Sequence, residues 1–354
     1  MMILGTHDPR TGHVSEDTWS SLRAGVEVMR SRLSSQGDEE VGMDVVFGGP
    51  SSSKACQNIS QEACNKVSFG KHAYVSKKAI ALTDSRLEHG LAEAYAPCLA
   101  GLHAKYSYDY IISADTSHSR NILPRLGAMI RVEPIHGIVQ VCDGGNTYVR
   151  SMYAGNILCT VQVPSDSLQI LTCRSGNFPQ KEPIDMSFPV KDESPWFLET
   201  IHDMSTDLLH GAPVHLPTTF VSRSTRDATG SLSLSHATIV VAGGRAFKTK
   251  EEFEKLETLA EKIGAAVGAT RALVDAGICP NEMQIGQTGK IIAPDVYIAF
   301  GISGAIQHIA GIKDSRCIIA INSDEEAPIF DAADYGMVGN VHEFLDRLLE
   351  IYNK

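Results

Sequence analysis

The chain has 354 residues, of which 43% are hydrophobic and 21% are charged, and its formal net charge is -11. This composition is ordinary for a globular protein, so disordered, collagen-like and coiled-coil classes are excluded, and the length predicts about two domains. The acidic balance is not offset by any basic cluster, which argues against nucleic-acid binding.

Cysteine usage and hydropathy restrict the class further. The eight cysteines form no Cys-x-x-Cys pair and no zinc or iron–sulfur spacing, which favours a reducing compartment with free thiols and predicts no metal site. The longest weakly polar stretch, 296–312, contains Ser303, Gln307 and His308 and falls short of the ~20 apolar residues that a membrane span needs. The first residues include Asp8 and resemble a strand that runs into a turn, so no transit peptide is visible.

Strand-like runs alternate with helical patterns in the first half of the chain. Short apolar runs predict buried strands at 43–47, 108–113 and 138–142. Helical spacing predicts helices at 84–100 and 121–129. Three further strands are predicted at 147–152, 158–163 and 168–174, and the composition of 175–235 is typical of a Pro- and Ser-rich linker. We therefore expect an N-terminal α/β structural domain over 1–226.

The remainder, 227–354, has the pattern of a doubly wound α/β domain. Strands are predicted at 237–242, 265–269, 296–300 and 317–322. Thr249 and Glu252 predict a capping box before an amphipathic helix, and 341–354 predicts a closing helix. Such alternation predicts a parallel sheet with helices on both faces, so a ligand is expected beyond the carboxyl ends of the strands.

Four strand-end loops carry unusual residues: 243–245, 270–271, 284–290 and 301–308. The small residues of 301–308 would let a pyrophosphate approach the N–H groups at a helix start, which predicts a phosphate-bearing nucleotide. The run from Gly286 to Lys290 is not an ATPase P-loop, because two residues rather than four precede Gly-Lys and Ile291 follows.

These loops belong to a longer set of motifs. They are Gly-Gly-Arg at 243–245, Gly-Ala-Thr-Arg-Ala-Leu-Val-Asp-Ala-Gly at 268–277, Pro-Asn-Glu-Met-Gln-Ile-Gly-Gln-Thr-Gly-Lys at 280–290, Gly-Ile-Ser-Gly-Ala-Ile-Gln-His at 301–308 and Ala-Pro-Ile-Phe-Asp-Ala-Ala-Asp-Tyr-Gly at 327–336. The sequence closely resembles the α subunit of electron transfer flavoprotein. The resemblance extends upstream through 121–126 and 149–159, whereas the first ~100 residues fit more loosely around a polar stretch at 31–40.

The resemblance implies a redox carrier without a small substrate of its own. In this family the C-terminal α domain holds FAD, and a β subunit completes the flavin site and carries AMP. Electrons come from acyl-CoA and related dehydrogenases and pass singly to electron transfer flavoprotein-ubiquinone oxidoreductase at the membrane. The family works in the mitochondrial matrix or the bacterial cytoplasm.

The resemblance also implies the FAD contacts. They are Arg245, Thr270, Arg271, Ile285, Gly286, Gln287, Thr288, Ser303, Gly304, Ala305, Ile306, Gln307, His308, Asn322 and Asn340. It places the two arginines beside the isoalloxazine ring, the Thr288 hydroxyl near flavin N5 and His308 at the pyrimidine end. It assigns 303–307 to the pyrophosphate and ribityl, and Thr270 and Asn322 to the nucleotide half.

Ordinary structural roles remain open for the same residues. An arginine is usually a surface ion-pair partner, a turn hydroxyl such as that of Thr288 usually bonds its own backbone, and a lone histidine such as His308 is usually a satisfied core residue. Asn340 stands where relatives commonly carry an aspartate that binds adenosine, but with Glu343 it also forms a good N-cap pair.

Two other functions also remain open for the whole chain. One is a nicotinamide-linked dehydrogenase, although the sequence lacks Gly-x-Gly-x-x-Gly after a first strand. The other is a flavin-free structural subunit.

Overall fold

A computed structural model describes residues 1–36, 41–69, 75–142, 144–153, 157–164, 167–179, 184–186, 197–201, 218–222 and 233–352. The chain forms two compact units, one of Met1–Ser151 with Leu158–Arg223 and the other of Ser224–Lys354 with Met152–Ile157. Both units mix helices with parallel strands, so the α/β class is confirmed. The predicted boundary at residue 226 lies outside the described residues.

The first unit is built on a nine-stranded sheet. Its strands are β1 (Met2–Leu4), β2 (Val41–Gly48), β4 (Val75–Leu82), β5 (Tyr110–Ala114), β6 (Ile135–Val141), β7 (Thr147–Met152), β8 (Ile157–Gln162), β9 (Gln169–Cys173) and β11 (Phe197–Ile201), with β3 (Val67–Phe69) and β10 (Ile184–Met186) paired separately. Its helices are α1 (Glu16–Gln36), α2 (Ser52–Lys66), α3 (Ala92–Tyr106) and α4 (Ser117–Ile130).

The sheet of the first unit has a buried core on each face. The strand order is β11-β4-β2-β1-β5-β9-β6-β7-β8, parallel from β11 to β6 and antiparallel between β6 and β7. Val45 lies in one core with Trp19, whereas its neighbour Val46 lies in the other with Leu99. This alternation follows from the two-residue period of a strand and explains why these strands are apolar throughout.

Two expectations for this unit are wrong in part. The helix predicted over 84–100 begins only at Ala92, because the Asp84 side chain accepts the Arg86 N–H (2.9 Å) and caps a 3-10 turn at Ser85–Leu87 instead. The predicted linker contains β11, which pairs with β4 and is anchored where Glu199 accepts the Tyr106 hydroxyl (2.5 Å). Pairing with a strand far away in the sequence leaves no local signal.

The second unit is smaller, and all the helices and strands of its C-terminal part lie within residues 233–352. Its strands are β12 (Ile239–Gly243), β13 (Ala266–Ala269), β14 (Val296–Phe300), β15 (Ile318–Asn322) and β16 (Tyr335–Val338). Its helices are α5 (Lys250–Ile263), α6 (Arg271–Asp275), α7 (Ile306–Ile309), α8 (Ile329–Ala332) and α9 (Val341–Tyr352).

All five strands of the second unit run parallel in the order β13-β12-β14-β15-β16. The chain leaves β12 in one direction and returns to its other side, so the strand order reverses between β12 and β14. The two long helices α5 and α9 cover one face, whereas loops and the four-residue helices α7 and α8 cover the other. The doubly wound arrangement is confirmed, with one face thinner than expected.

The start of α5 shows how the predicted capping box folds. Thr249 is the N-cap, and its hydroxyl accepts the Glu252 N–H (3.3 Å). The Glu252 carboxylate reaches one residue further back and accepts the Lys248 N–H (2.6 Å). Thr249 thus satisfies an N–H group that the first helical turn leaves free, and Glu252 ties down the residue before the cap, which starts the helix shortly after the loop at Arg245.

Removing this cap should destabilise the second unit. We expect Thr249→Ala to lower the free energy of unfolding by about 1 kcal/mol, since the Glu252 N–H in the first helical turn loses its side-chain partner. Thr258→Ala is the matched control, because Thr258 lies exposed inside α5 and bonds only the Glu254 carbonyl (2.9 Å). Urea unfolding of both variants provides the measurement, and equal losses would contradict a capping role.

Candidate functional site

The predicted site residues line one edge of the second unit's sheet. Arg245 follows β12, Thr270 follows β13, residues 301–308 follow β14, Asn322 ends β15 and Asn340 follows β16. Because the strands are parallel, all five carboxyl ends lie at the same edge. Four intervals of ~4.8 Å separate β13 from β16, so the row is ~19 Å long and only an elongated ligand could touch all of it.

The loop 284–290 is fixed to the end of β13. Ile285 donates its N–H to the Ala269 carbonyl (2.9 Å), and Lys290 donates to the Gln284 carbonyl (2.8 Å), which closes the loop on itself. Gln287 then donates its N–H to the Gln307 carbonyl (2.8 Å) at α7. Two predicted segments that are 20 residues apart in sequence (287 to 307) are thus joined at the sheet edge.

The loops after β12 and β14 meet where the strand order reverses. Gly244 donates its N–H to the Phe300 carbonyl (2.9 Å), and a Cβ on Gly244 would overlap the backbone of Gly301. Gly301 has φ of 62°, in the left-handed region that glycine adopts without strain. The two loops therefore pack main chain against main chain at the reversal, next to which a ligand crevice is expected.

His308 is buried and both of its ring nitrogens have partners. The Ile285 carbonyl accepts from Nδ1 (3.1 Å), which requires the proton on Nδ1, and Nε2 then accepts the Tyr297 hydroxyl (2.7 Å). Burial lowers the pKa of His308 to about 4, against the opposing effect of the Ile285 carbonyl. The ring is therefore neutral at pH 7 and joins β14, α7 and the loop 284–290.

Thr270 presents a buried hydroxyl without a hydrogen bond. It occupies the N-cap position of α6, and its backbone N–H donates to the Gly243 carbonyl (3.0 Å), but its side chain makes no capping bond. Its Oγ1 is buried and has no hydrogen-bond partner in the part of the chain that the structure describes. An unsatisfied buried hydroxyl costs ~1–3 kcal/mol, which a ligand at this strand end would recover.

Of the two predicted arginines, one forms an ion pair and the other does not. Arg245 is exposed and makes no hydrogen bond or ion pair among the described residues. Arg271 pairs with Asp275 (Nε to Oδ2, 3.2 Å), with 69% and 63% of the two side chains exposed. Such an exposed pair contributes little, about 0–1 kcal/mol, so both guanidinium groups are available to an anionic ligand.

The two predicted asparagines serve their own loops. Asn322 donates to the Ile302 carbonyl (2.9 Å) and accepts the Asp324 N–H (3.1 Å), which shapes the loop after β15. Asn340 accepts the His342 N–H (3.0 Å) and donates to Glu343 Oε1 (3.3 Å), so it caps α9 as expected. No described contact joins either side chain to the loops after β12 and β13.

The remaining predicted residues are either buried behind the sheet edge, which we call the wall, or exposed along it, which we call the rim. Ser303 accepts the Ile329 N–H through its carbonyl (3.0 Å), which holds the loop 301–308 on α8. Ile285, Gly286 and Gly304 are buried, whereas Gln287, Thr288, Ser303, Ala305, Ile306 and Gln307 are exposed. The exposed group offers hydroxyl, amide and main-chain donors on one side of the unit.

Sequence reasoning missed two polar residues that hold the site. Gln284 is 6% exposed, and its Nε2 donates to Thr288 Oγ1 (2.8 Å). Tyr297 is fully buried within β14, and its hydroxyl bonds His308. A polar residue in a loop and an aromatic residue in a strand give no signal of their own, because their partners become neighbours only on folding.

The neutral state of His308 predicts a pH dependence of stability. Its pKa is about 4 in the folded chain and about 6.5 when unfolded, so the unfolded state binds more protons between these values. Its stabilising contribution is complete above pH ~6.5 and is lost as pH falls through ~4. Urea unfolding should therefore show that His308→Gln destabilises the chain more at pH 7 than at pH 4.5, and a difference that is independent of pH would contradict a neutral buried ring.

Two protein-family models match this chain. The model of the electron transfer flavoprotein domain matches residues 45–193, and that of the electron transfer flavoprotein FAD-binding domain matches residues 233–313. The second match contains β12, β13, β14 and the loops 284–290 and 301–308.

Three similar relatives carry related names. The mitochondrial electron transfer flavoprotein subunit alpha of Arabidopsis thaliana is 43% identical over 290 residues, which is 82% of this chain and 77% of the relative. That of Oryza sativa subsp. indica is 38% identical over 351 residues, which is 99% of this chain and 89% of the relative. The probable mitochondrial electron transfer flavoprotein subunit alpha of Saccharomyces cerevisiae is 39% identical over 280 residues, which is 78% of this chain and 76% of the relative. The resemblance seen in the sequence is therefore confirmed, and the chain belongs to the electron transfer flavoprotein α-subunit family.

Proposed function

We propose that this chain is the FAD-holding subunit of a heterodimeric electron carrier. It accepts electrons from acyl-CoA and related dehydrogenases and passes them singly to a membrane quinone oxidoreductase. The observation that supports this most is the row of polar groups along the carboxyl edge of the second unit's sheet, which includes the exposed Arg245 and the Thr270 hydroxyl that has no partner among the described residues. The row lies mostly inside the segment that matches an FAD-binding domain.

The residues at this edge fit FAD. The row is long enough for a dinucleotide, the strand order reverses beside it, and the buried Thr270 hydroxyl lacks a hydrogen-bond partner among the described residues. The residues 303–307 would hold the pyrophosphate and ribityl, and Thr270 and Asn322 would contact the nucleotide half, with Asn322 also keeping its own loop in shape. When bound, FAD supplies reversible one-electron chemistry.

The charges at the edge favour electron acceptance. Arg245 and Arg271 are cations next to the ends of β12 and β13, where an added electron would be stabilised by Coulomb attraction. His308 contributes differently, since it is neutral at pH 7 and both of its nitrogens already have protein partners. Its role is to position the loop 284–290 against α7 rather than to exchange protons.

A partner chain is part of this proposal. The family works with a β subunit, which is expected to complete the flavin site and to carry AMP. The exposed rim residues, among them Ile306 with 68% of its surface exposed, are suited to being covered by a second chain.

The compartment is inferred from the relatives. Those compared above are named mitochondrial, which supports the mitochondrial matrix. Within the described residues, no helix combines the length and the hydropathy needed to cross a bilayer.

A visible absorption spectrum tests the proposed function. The full chain should be yellow when co-expressed with the β subunit, and it should hold FAD weakly and aggregate more when expressed alone. A colourless protein that binds NAD would support a dehydrogenase instead, and one that binds neither would support a flavin-free structural subunit. A stable monomer saturated with FAD would contradict the need for a partner.

Arg271 should tune the flavin potential. A unit charge ~4 Å away is worth about 4 kcal/mol at an effective dielectric of ~20, and solvent at this exposed position reduces the effect. We expect Arg271→Ala to lower the potential of the first one-electron step by up to on the order of 100 mV, and Arg271→Lys to lower it less. Arg316→Ala is the control, because Arg316 is exposed just before β15 at the opposite edge of the sheet. Equal potentials in the Arg271→Ala and Arg316→Ala proteins would remove Arg271 from the site.

Asn340 should separate capping from ligand binding. Asp and Asn cap about equally well, so Asn340→Asp should leave stability unchanged, whereas Asn340→Ala should cost about 1 kcal/mol. If the side chain also faces the ribose, Asn340→Asp should tighten FAD by up to ~1 kcal/mol through a charge-assisted bond. Titration of the apoprotein with FAD provides the measurement, and one affinity for all three proteins would make Asn340 a cap only.

A further inference from the structure

Gln284 is a buried polar residue at the edge of the candidate site to which neither the family resemblance nor the proposed function assigns a role. It is 6% exposed, and its Nε2 lies 2.8 Å from Thr288 Oγ1. We infer that Gln284 is a positioning residue that makes Thr288 a hydrogen-bond donor toward the bound flavin. This inference deepens the proposed function and rests on it, because the flavin is the acceptor.

The direction of the hydrogen bond carries the argument. An amide nitrogen of glutamine only donates, so the Thr288 oxygen must accept the Gln284 N–H. The hydroxyl has one proton of its own, and that proton cannot return to the amide nitrogen. Thr288 is exposed, and within the part of the chain that the structure describes its hydroxyl has no other partner. Its proton is therefore free for an acceptor on the ligand.

The backbone around Gln284 keeps this direction fixed. Its N–H donates to the Asn281 carbonyl (3.0 Å), its carbonyl accepts the Lys290 N–H (2.8 Å), and it forms a bridge with Ala269 at the end of β13. A Cβ on Gly289 would collide with the Gln284 carbonyl and Cγ, so the loop lies directly over this side chain. The amide therefore has little freedom to turn away.

A directed hydroxyl proton affects two measurable properties. It adds one hydrogen bond to bound FAD, which strengthens binding. It also stabilises the flavin more once an added electron has made its acceptor atoms more negative, which raises the potential of the first step. If Gln284 merely supported the loop, its replacement would change stability, but any change in the flavin potential would not depend on the Thr288 hydroxyl.

A double-mutant cycle tests the coupling. Gln284→Met removes the amide at similar volume, and Thr288→Val removes the hydroxyl at similar volume. FAD affinity and the first one-electron potential are measured on the full chain co-expressed with the β subunit. In the parent background we expect Gln284→Met to weaken FAD about fivefold and to lower the potential, and in the Thr288→Val background we expect less than a twofold change. The coupling should remain in Thr288→Ser, which keeps the hydroxyl.

The same change in both backgrounds would overturn the inference, because Gln284 would then act independently of Thr288. If Gln284→Met does not fold, as judged by circular dichroism, Gln284→Glu takes its place. Its carboxylate only accepts, which turns the Thr288 proton away from the flavin, and the cycle with Thr288→Val cancels the added charge. Gln140→Met, on an exposed position of β6 in the other unit, should match the parent in both measurements. A parent protein that binds no FAD would instead overturn the proposed function.

Discussion

A buried chain of neutral hydrogen bonds, from the Tyr297 hydroxyl through His308 to the Ile285 carbonyl, holds the candidate site together. It connects a central strand, a short helix and a loop that attaches to the edge strand β13. Each member is buried, so breaking any link would leave a polar group unsatisfied at a cost of ~1–3 kcal/mol. The positions of Thr288, Gln287 and Gln307 along the rim depend on this chain.

The neutrality of that chain matters for redox chemistry. Burial keeps the His308 ring uncharged at pH 7, so its two hydrogen bonds order the loop and helix beside it without placing a charge there. The cations, Arg245 and Arg271, lie instead on the exposed rim. Charge placed there interacts with a ligand without the desolvation penalty of a buried ion. The fold thus separates the groups that fix geometry from the cations that we propose tune the flavin potential.

Backbone packing at the strand reversal supplies the second constraint. The loops after β12 and β14 approach so closely that side chains are excluded at Gly244 and Gly301. The two loops therefore pack main chain against main chain, and the Gly244 and Gly301 N–H groups donate to the Phe300 and Ile321 carbonyls. The thin cover of loops and four-residue helices on one face of the sheet leaves this edge accessible.

Local patterns in the sequence determined most of the fold. Continuous apolar runs located β2, β5, β6 and, in the second unit, β12 to β15 but not β16. The Thr249 and Asn340 caps marked two helix starts. These signals depend only on neighbouring residues. The predicted strand ends place the candidate residues at the carboxyl edge of the sheet, which is where the structure has them.

Only the tertiary structure decided which of these residues are free and which are engaged. β11 pairs with a strand more than 100 residues earlier, and the partners of Gln284, Tyr297 and His308 are not their neighbours in sequence. No local pattern could therefore predict these contacts. Likewise, Thr270 and Asn322 are both polar residues at the end of a predicted strand. The Asn322 side chain is hydrogen-bonded, whereas the Thr270 hydroxyl has no partner among the described residues. Their difference arises from burial and hydrogen-bond geometry, which exist only after the strands and loops have packed.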